Sequence, residues 1–177
     1  IAAAAVARHL PYFKGHDFII RSSGRPEDYF IGQAMVYRER EAPSYLASDY
    51  RIGRTPREIT ADIYKNVASA DELTKKQYLD MKLWLPGDIL LKADKMSMAH
   101  SLELRVPFLD RRVMELAERI PAGYRIKDGI TKYVLRQAAN RTIPDDWANR
   151  PKVGFPVPIR YWFREERYYK YARDYFT

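Results

Sequence analysis

The chain has 177 residues, 46% of them apolar, with no cysteine and a net charge of +8. This length suffices for one hydrophobic core, and the apolar content excludes a largely disordered chain. The lack of cysteine excludes disulfides, thiolate metal sites and thiol nucleophiles, and it fits a cytoplasmic protein. The positive charge favours an anionic partner such as a nucleotide or a nucleic acid. Because the first residue is isoleucine and not methionine, we expect the chain to be part of a longer protein.

The predicted elements are helices joined by long loops. Apolar spacing, capping residues and the breakers proline and glycine predict helices over 27–41, 56–67, 70–83, 88–100, 110–120, 130–141 and 159–176. The segment Thr55-Pro56-Arg57-Glu58 is a capping box with proline at the first helical position. Pro86-Gly87 is expected to separate two of these helices, and Asp128-Gly129 predicts a turn.

The pattern contains no alternation of strands and helices, and few runs alternate apolar and polar residues. The sequence therefore predicts an all-helical fold with long loops. We expect residues 1–177 to form a single unit, and the best candidate for a hinge is the segment 45–54.

Glycines and histidines do not form a recognisable site. The eight glycines match no phosphate-binding loop, so we expect any such loop to lie outside this chain. His9, His16 and His100 lack the spacing of metal ligands, and we expect no metal site on them.

The stretch from Leu85 to Asp110 mixes charged residues into an otherwise apolar run. The charges fall on several sides of the predicted helix, so we expect some of them to be partly buried. Buried charges are costly unless they are paired or used, which suggests that this stretch forms the wall of a site. The charged members are Asp88, Lys92, Asp94, Lys95, Glu103, Arg105 and Asp110.

Spacing relates several of these charges. Asp88 and Lys92 are four residues apart on one helix face, and Lys95 lies three residues further on the same side. Taken alone, this spacing favours a solvated salt-bridge face over a binding ridge. Glu103 and Arg105 point the same way on a predicted extended segment, which indicates a structural ion pair that ties the segment to a neighbour.

A second charged segment is the proline-rich loop from Asn149 to Pro158. A stiff loop holds a charge at low entropic cost, as catalysis requires. Lys152 is therefore the candidate for contacting a phosphoryl group or developing negative charge. A surface lysine on a packing loop is an equally weighted alternative.

The C-terminal run interleaves cations with aromatic residues between Arg160 and Tyr175. This composition is compatible with binding single-stranded nucleic acid. The favoured interpretation is an amphipathic helix with its aromatic side chains inward and its cations outward.

Three motifs follow one another along the chain: LPGDILLKADKMSMAHSLELRVPFLD, DGITKYVLR and RPKVGFPVPI. In the same order, they resemble the C-terminal synthetase domain of glutamine-dependent asparagine synthetase. The resemblance is strong over residues 79–162 and rests on position alone near the start of the chain. Related amidotransferases, including β-lactam-forming synthetases, share this domain and are the alternative within enzymes. A basic helical module that binds nucleic acid is the alternative of another class.

The resemblance implies an ATP-dependent amide ligase. In this family the aspartate side-chain carboxylate attacks the α-phosphorus of ATP, with Mg²⁺, to give β-aspartyl-AMP and pyrophosphate. Ammonia, which a separate N-terminal glutaminase domain releases from glutamine, then displaces AMP to give asparagine. The implied fold is the mainly α-helical C-terminal part of an α/β ATP-pyrophosphatase-type synthetase domain. Its nucleotide-binding sheet and main ATP-binding loop would lie outside this chain, so we expect the chain alone to be inactive.

The resemblance also implies roles for individual residues. Lys152 matches the lysine that stabilises charge during adenylation. Lys92 matches the basic position that lines the aspartate and intermediate pocket; several members have arginine there, and lysine does not form the bidentate carboxylate clamp of an arginine. Further candidates for binding substrate or intermediate are Asp88, Asp94 and Lys95. Motif positions that we interpret as structural are Glu103, Arg105 and Asp110.

Overall fold

The computed structural model describes residues 6–7, 10, 13–33, 35–39, 41–154 and 157–176. These residues are mainly helical, as predicted. Within them, no helix combines the length and the apolar character needed to cross a membrane. The α-helices are α1 (His16–Ser23), α2 (Pro26–Tyr29), α3 (Ala42–Tyr45), α4 (Pro56–Tyr64), α5 (Glu72–Lys82), α6 (Leu91–Met98), α7 (Arg111–Glu118), α8 (Ala122–Arg125), α9 (Tyr133–Ala139), α10 (Asp145–Ala148), α11 (Ile159–Trp162) and α12 (Glu166–Phe176).

Shorter elements connect these helices. Two strands, β1 (Ile126–Lys127) and β2 (Ile130–Thr131), pair as a small sheet. The 3₁₀ turns are Ser48–Tyr50, Lys65–Val67 and Pro107–Leu109, and a π-helical segment covers Leu85–Leu90. The chain divides into two compact units, unit 1 (residues 1–126) and unit 2 (residues 127–177). The boundary lies outside the segment 45–54, and the hinge there remains a prediction.

The core of unit 1 lies where α2, α4 and α5 pack together. Its buried side chains are Pro26 from α2, Thr60 and Tyr64 from α4, and Leu79 from α5. The Tyr64 hydroxyl donates to the carbonyl of Phe30 at 2.9 Å, which satisfies a polar group that would otherwise be costly to bury. Burial also raises the pKa of Tyr64 well above its usual value. One hydroxyl thus joins α4 to the segment that follows α2.

The predicted capping box at the start of α4 is confirmed. The Thr55 hydroxyl accepts from the backbone N–H of Glu58 at 3.2 Å, and the Glu58 carboxylate accepts from the backbone N–H of Thr55 at 2.7 Å. The predicted start of the next helix was two residues too early. Asp71 is the cap of α5 and accepts from the backbone N–H of Thr74 at 3.0 Å.

The predicted helix over 27–41 is wrong, because the helix ends at Tyr29. Side chains from other helices bind the backbone that follows. In addition to the Tyr64 contact, Asp80 accepts from the backbone N–H of Gln33 at 3.2 Å. Gly32 between them has φ of +118°, a conformation open to glycine and costly for other residues. Partners far along the chain therefore replace the helical hydrogen bonds, and local spacing does not reveal them.

Pro86-Gly87 was expected to break the helix, and this prediction is also wrong. The π-helical segment Leu85–Leu90 joins the end of α5 to α6. The backbone N–H of Leu91 points to the carbonyl of Pro86, five residues earlier. A π-helical turn of this kind accommodates an irregularity within a helix and is frequent at functional sites.

Two predicted helices near the C-terminus are shorter than expected. Asp128 and Gly129 have φ of +50° and +77°, as in the tight hairpin turns that match the twist of paired strands. The turn pairs β1 with β2, so Ile130 belongs to a strand and α9 begins at Tyr133. The helix predicted over 159–176 is divided into α11 and α12 by a turn at residues 163–165.

Helix α6 ends in a paired capping motif that places Ser101 in the left-handed region, with φ of +56°. The backbone N–H of Leu102 donates to the carbonyl of Ser97, and the backbone N–H of Ser101 donates to the carbonyl of Met98, both at 3.0 Å. This is the Schellman arrangement, in which glycine is preferred at the left-handed position. Serine there carries a steric cost that glycine avoids.

Replacing Ser101 with glycine should therefore stabilise the protein by about 1 kcal/mol, measured as the free energy of unfolding in urea. Ser97→Gly on the same helix is the matched control and should destabilise it by about 0.5 kcal/mol, because Ser97 lies within α6, where glycine is less favourable than serine. Equal effects of the two substitutions would contradict the assignment of the left-handed cap.

Candidate functional site

The charged residues of the 85–110 stretch are mostly exposed. The expectation that some of them would be partly buried holds for Asp88 alone, since the other six are exposed. The apolar residues that would cover them are also open to solvent: Leu91, Met96 and Met98 are all exposed. These charges therefore keep their hydration and remain accessible to a ligand.

Asp88 is the most constrained of the predicted site residues. It lies in the π-helical segment, where the indole N–H of Trp84 donates to Oδ2 of Asp88 at 3.0 Å. The second carboxylate oxygen is 3.4 Å from the ammonium nitrogen of Lys92. Asp88 thus bridges an indole and an ammonium group, one helical turn to either side. The side chain of Lys92 is 62% exposed, so its interaction with Asp88 is weak and leaves the amine free to bind an anion.

Lys92 and Lys95 lie on one side of α6, and Asp94 lies on the other. Residues three apart share a helix face, whereas residues two apart point in nearly opposite directions. All three side chains are exposed. The structure thus groups Asp88, Lys92 and Lys95 on one face and separates Asp94 from them.

The three residues interpreted as structural have local partners. Arg105 contacts Glu103 at 2.7 Å, so this ion pair forms within the segment. The expectation that it would tie the segment to a neighbouring element is wrong. Both side chains are at least 70% exposed, and such a pair contributes little stability. Asp110 caps α7 by accepting from the backbone N–H of Arg112 at 2.9 Å, as its position at the start of helix 110–120 suggested.

Lys152 lies in unit 2, on the loop that follows α10. Asn149 closes the base of this loop by donating to Asp145 at 2.7 Å and to Asn140 at 3.1 Å. Lys152 itself is exposed, and its amine forms no ion pair with the residues that the structure describes. Phe155 and Pro156 of the predicted motif lie outside the described residues.

Arg136 of α9 connects the segments around this loop. Its Nε donates to the carbonyl of Thr131 at 3.1 Å. One terminal nitrogen donates both to the carbonyl of Ala148 at 3.0 Å and to that of Arg150 at 3.2 Å. The guanidinium therefore joins strand β2, the end of α10 and the residue two before Lys152.

The C-terminal aromatic residues do not point into a core, contrary to expectation. Tyr161, Trp162, Tyr171 and Tyr175 are all exposed. Unit 2 has few residues with which to build an interior, and small units bury a smaller fraction of their surface. Several rings instead contact neighbouring guanidinium groups, as in the pairs Arg164–Tyr161, Arg167–Tyr168 and Arg173–Tyr169.

The structure describes two of the three histidines, His16 and His100. His16 is buried, with Nε2 at 2.8 Å from the carbonyl of Ala7. His100 is exposed, and His9 lies outside the described residues. Among the described residues, no three histidine, aspartate or glutamate side chains come together as a metal site.

Sequence reasoning missed Trp84 and Arg136. Trp84 precedes Asp88 by four residues, a spacing that would have indicated contact if the helix had been predicted to continue through Pro86. Arg136 is part of the quoted motif DGITKYVLR, but its acceptors are carbonyls in three segments outside α9. No spacing rule identifies such acceptors.

The comparison with protein families supports the resemblance of the three motifs. The family model described as asparagine synthase matches residues 8–177. The chain therefore belongs to the asparagine synthase family, whose members this sequence resembles along almost its whole length.

Named relatives agree with this family. The chain is 42% identical over 153 residues to asparagine synthetase [glutamine-hydrolyzing] 1 of Bacillus subtilis, covering 86% of this chain and 24% of that protein. It is 42% identical over 160 residues to a Mycobacterium bovis protein provisionally named asparagine synthetase [glutamine-hydrolyzing], covering 90% of this chain and 24% of the relative. A Gallus gallus asparagine synthetase is 46% identical over 69 residues, or 37% of this chain and 12% of that protein. The chain thus spans about a quarter of the length of its first two relatives. No solved structure is significantly similar to it.

The bridge between Trp84 and Asp88 predicts that the indole N–H exchanges slowly with solvent. Asp88→Ala should accelerate this exchange about fivefold to tenfold, because the loss of a hydrogen bond worth about 1 kcal/mol removes comparable protection. Nuclear magnetic resonance of the indole protons measures the effect. Trp147 is the internal control, since its side chain is 66% exposed, and its exchange rate should not change. An indole N–H of Trp84 that exchanges as fast as that of Trp147 in the unsubstituted protein would contradict the bridge.

Proposed function

We propose that the chain is the helical C-terminal part of the synthetase domain of a glutamine-dependent asparagine synthetase. The match of residues 8–177 to the asparagine synthase family carries this proposal. The relatives that cover most of the chain are named as glutamine-hydrolysing asparagine synthetases. Because the chain spans 24% of their length, the complete reaction requires segments beyond these 177 residues.

The proposed reaction converts aspartate, ATP and glutamine-derived ammonia to asparagine. The aspartate side-chain carboxylate attacks the α-phosphorus of ATP, and the bond to the β-phosphate breaks to release pyrophosphate. Ammonia then attacks the acyl carbon of β-aspartyl-AMP, and AMP leaves with one oxygen of the former carboxylate. Negative charge accumulates around the α-phosphorus in the first step, where a fixed cation lowers the barrier.

Lys152 is the proposed catalytic cation of that step. Its amine is exposed and has no ion pair among the described residues. It therefore does not have to break an ion pair before it binds phosphate. Pro151 before it and the Asn149 hydrogen bonds restrict the loop, which lowers the entropic cost of placing the charge.

Lys92 is the proposed contact to aspartate or to the adenylate, with Asp88 and Lys95 on the same helix face. An ammonium group is a compact point charge and does not form the two parallel hydrogen bonds of a guanidinium. The contact at 3.4 Å to Asp88 keeps the Lys92 amine near the helix without neutralising it completely. Asp94, on the opposite side of α6, remains the least supported of these candidates.

The remaining parts of the proposal lie outside the described residues. We infer that a loop in another segment holds most of ATP and its Mg²⁺, because no carboxylate cluster in the described part of the chain offers metal ligands. The bound metal would neutralise phosphate charge, and Lys152 would add to that effect. The fold would then be an α/β ATP-pyrophosphatase-type domain, with the nucleotide-binding sheet and the glutaminase domain in the rest of a cytoplasmic protein.

The activity test uses the complete protein with aspartate, ATP and glutamine. Asparagine, AMP and pyrophosphate should form in equal amounts, as chromatography would show. The 177-residue chain alone should release no pyrophosphate. Turnover by this chain alone would contradict the proposal. Pyrophosphate release that requires another carboxylic acid instead of aspartate would assign the protein to the related acyl-adenylating amidotransferases.

Substituting Lys152 tests its role directly. Lys152→Ala should lower kcat for pyrophosphate release about 100-fold or more, the usual loss when one transition-state contact is removed. The KM for ATP should change much less, because the contact strengthens only as charge develops. Lys170→Ala, which removes an exposed cation of α12, should leave kcat unchanged. Equal kcat values for the two variants would remove Lys152 from the catalytic step.

A further inference from the structure

The position of Lys152 depends on the peptide unit just before it. Arg150 and Lys152 are separated by a single residue, Pro151. The proline ring fixes its own φ near −65°. Between the Arg150 carbonyl and the Lys152 Cα atom, the freely rotating backbone bond is therefore ψ of Pro151. A group that fixes the Arg150 carbonyl therefore confines the origin of the Lys152 side chain to the positions that rotation about this one bond allows.

Arg136 is that group. Its guanidinium donates to the Arg150 carbonyl at 3.2 Å, and its anchors are the carbonyls of Thr131 at 3.1 Å and Ala148 at 3.0 Å. Arg136 is partly buried. A guanidinium offers five donors in a rigid plane, whereas an ammonium cannot reproduce that fork. The three acceptors come from three segments, so the guanidinium holds the loop against both β2 and α10.

We infer that Arg136 is a positioning residue for Lys152: by binding the carbonyls of Thr131, Ala148 and Arg150, it holds the lysine amine where phosphate charge develops. This inference rests on the proposed function. Arg136 acts through Lys152 and does not itself touch the reacting atoms. Displacement of a catalytic group by about 1 Å lowers rates by as much as 100-fold, so the loss of this fork is expected to appear in kcat.

The test is a double-substitution cycle in the complete protein, with pyrophosphate release as the measurement. Arg136→Lys should lower kcat about 10-fold to 100-fold and leave the KM for aspartate nearly unchanged. In the Lys152→Ala background, Arg136→Lys should cause no further loss, because the two residues act as one unit. Arg141→Lys, an exposed arginine just after α9, is the matched control and should keep full activity.

A second measurement does not depend on the reaction. Hydrogen exchange of the backbone amides at 149, 150 and 152–154 should accelerate in Arg136→Lys and stay unchanged in Arg141→Lys. Asn149→Ala, which removes the two hydrogen bonds at the base of the same loop, should lower kcat in the same direction and also have no effect on top of Lys152→Ala. This second variant preserves the test if Arg136→Lys folds poorly.

The outcomes separate the two proposals. No pyrophosphate release by the unsubstituted complete protein would refute the proposed function, whereas the exchange experiment would still report on the loop. Suppose that the unsubstituted protein turns over normally and that Arg136→Lys lowers kcat by the same factor with Lys152 present and in the Lys152→Ala background. This result would overturn the inference, because additive effects mean that the two residues act independently. Unchanged loop exchange, or full activity of Asn149→Ala, would overturn it as well.

Discussion

The hydrogen bonds from Arg136 to three backbone carbonyls hold together a unit that has little buried apolar surface. Among the described residues of unit 2, Ala148 is the buried apolar side chain, and its own carbonyl is one of the acceptors. The hydrophobic effect is roughly proportional to the apolar area removed from water, so it contributes little here. A charged donor gives stronger hydrogen bonds than a neutral one. The conformation of the loop that carries Lys152 therefore depends on polar contacts more than on packing.

Polar side-chain contacts also join separate segments of unit 1. Side chains of α5 bind other segments: Lys75 contacts Glu27 at 2.6 Å, and Arg125 of α8 donates to Gln77 at 2.6 Å and to Thr74 at 2.7 Å. Burial raises the pKa of Asp80, although its hydrogen bond from Gln33 opposes this shift. With α5 held in this way, the helix continues through the π-helical segment to α6. The face that carries Asp88 and Lys92 thus extends from the best-packed part of the chain while its own charges stay exposed.

Local signals predicted two capped helix starts well and the irregular segments poorly. The capping residues Thr55 and Asp110 were identified correctly because a capping side chain and the backbone N–H that donates to it are close in sequence. The early end of α2 depends on partners from α4 and α5, and the continuous helix through Pro86 depends on a π-helical turn; spacing encodes neither. Lys152 was singled out by the stiff proline-rich loop and Lys92 by helical spacing, and the motif resemblance then implied their roles. The supporting roles of Trp84 and Arg136 were identified only from the hydrogen bonds that these residues donate in the structure.

The central proposal is that this chain contributes cations to the formation of an acyl-adenylate. Oxygen transfer tests this chemistry most directly. The complete protein would be supplied with aspartate whose side-chain carboxylate carries the heavy oxygen isotope, together with ATP and glutamine, and the AMP would be analysed by mass spectrometry. Formation of β-aspartyl-AMP followed by attack of ammonia predicts one heavy oxygen in each AMP. AMP without the label, or ADP and phosphate in its place, would contradict adenylation and with it the roles proposed for Lys152 and Lys92.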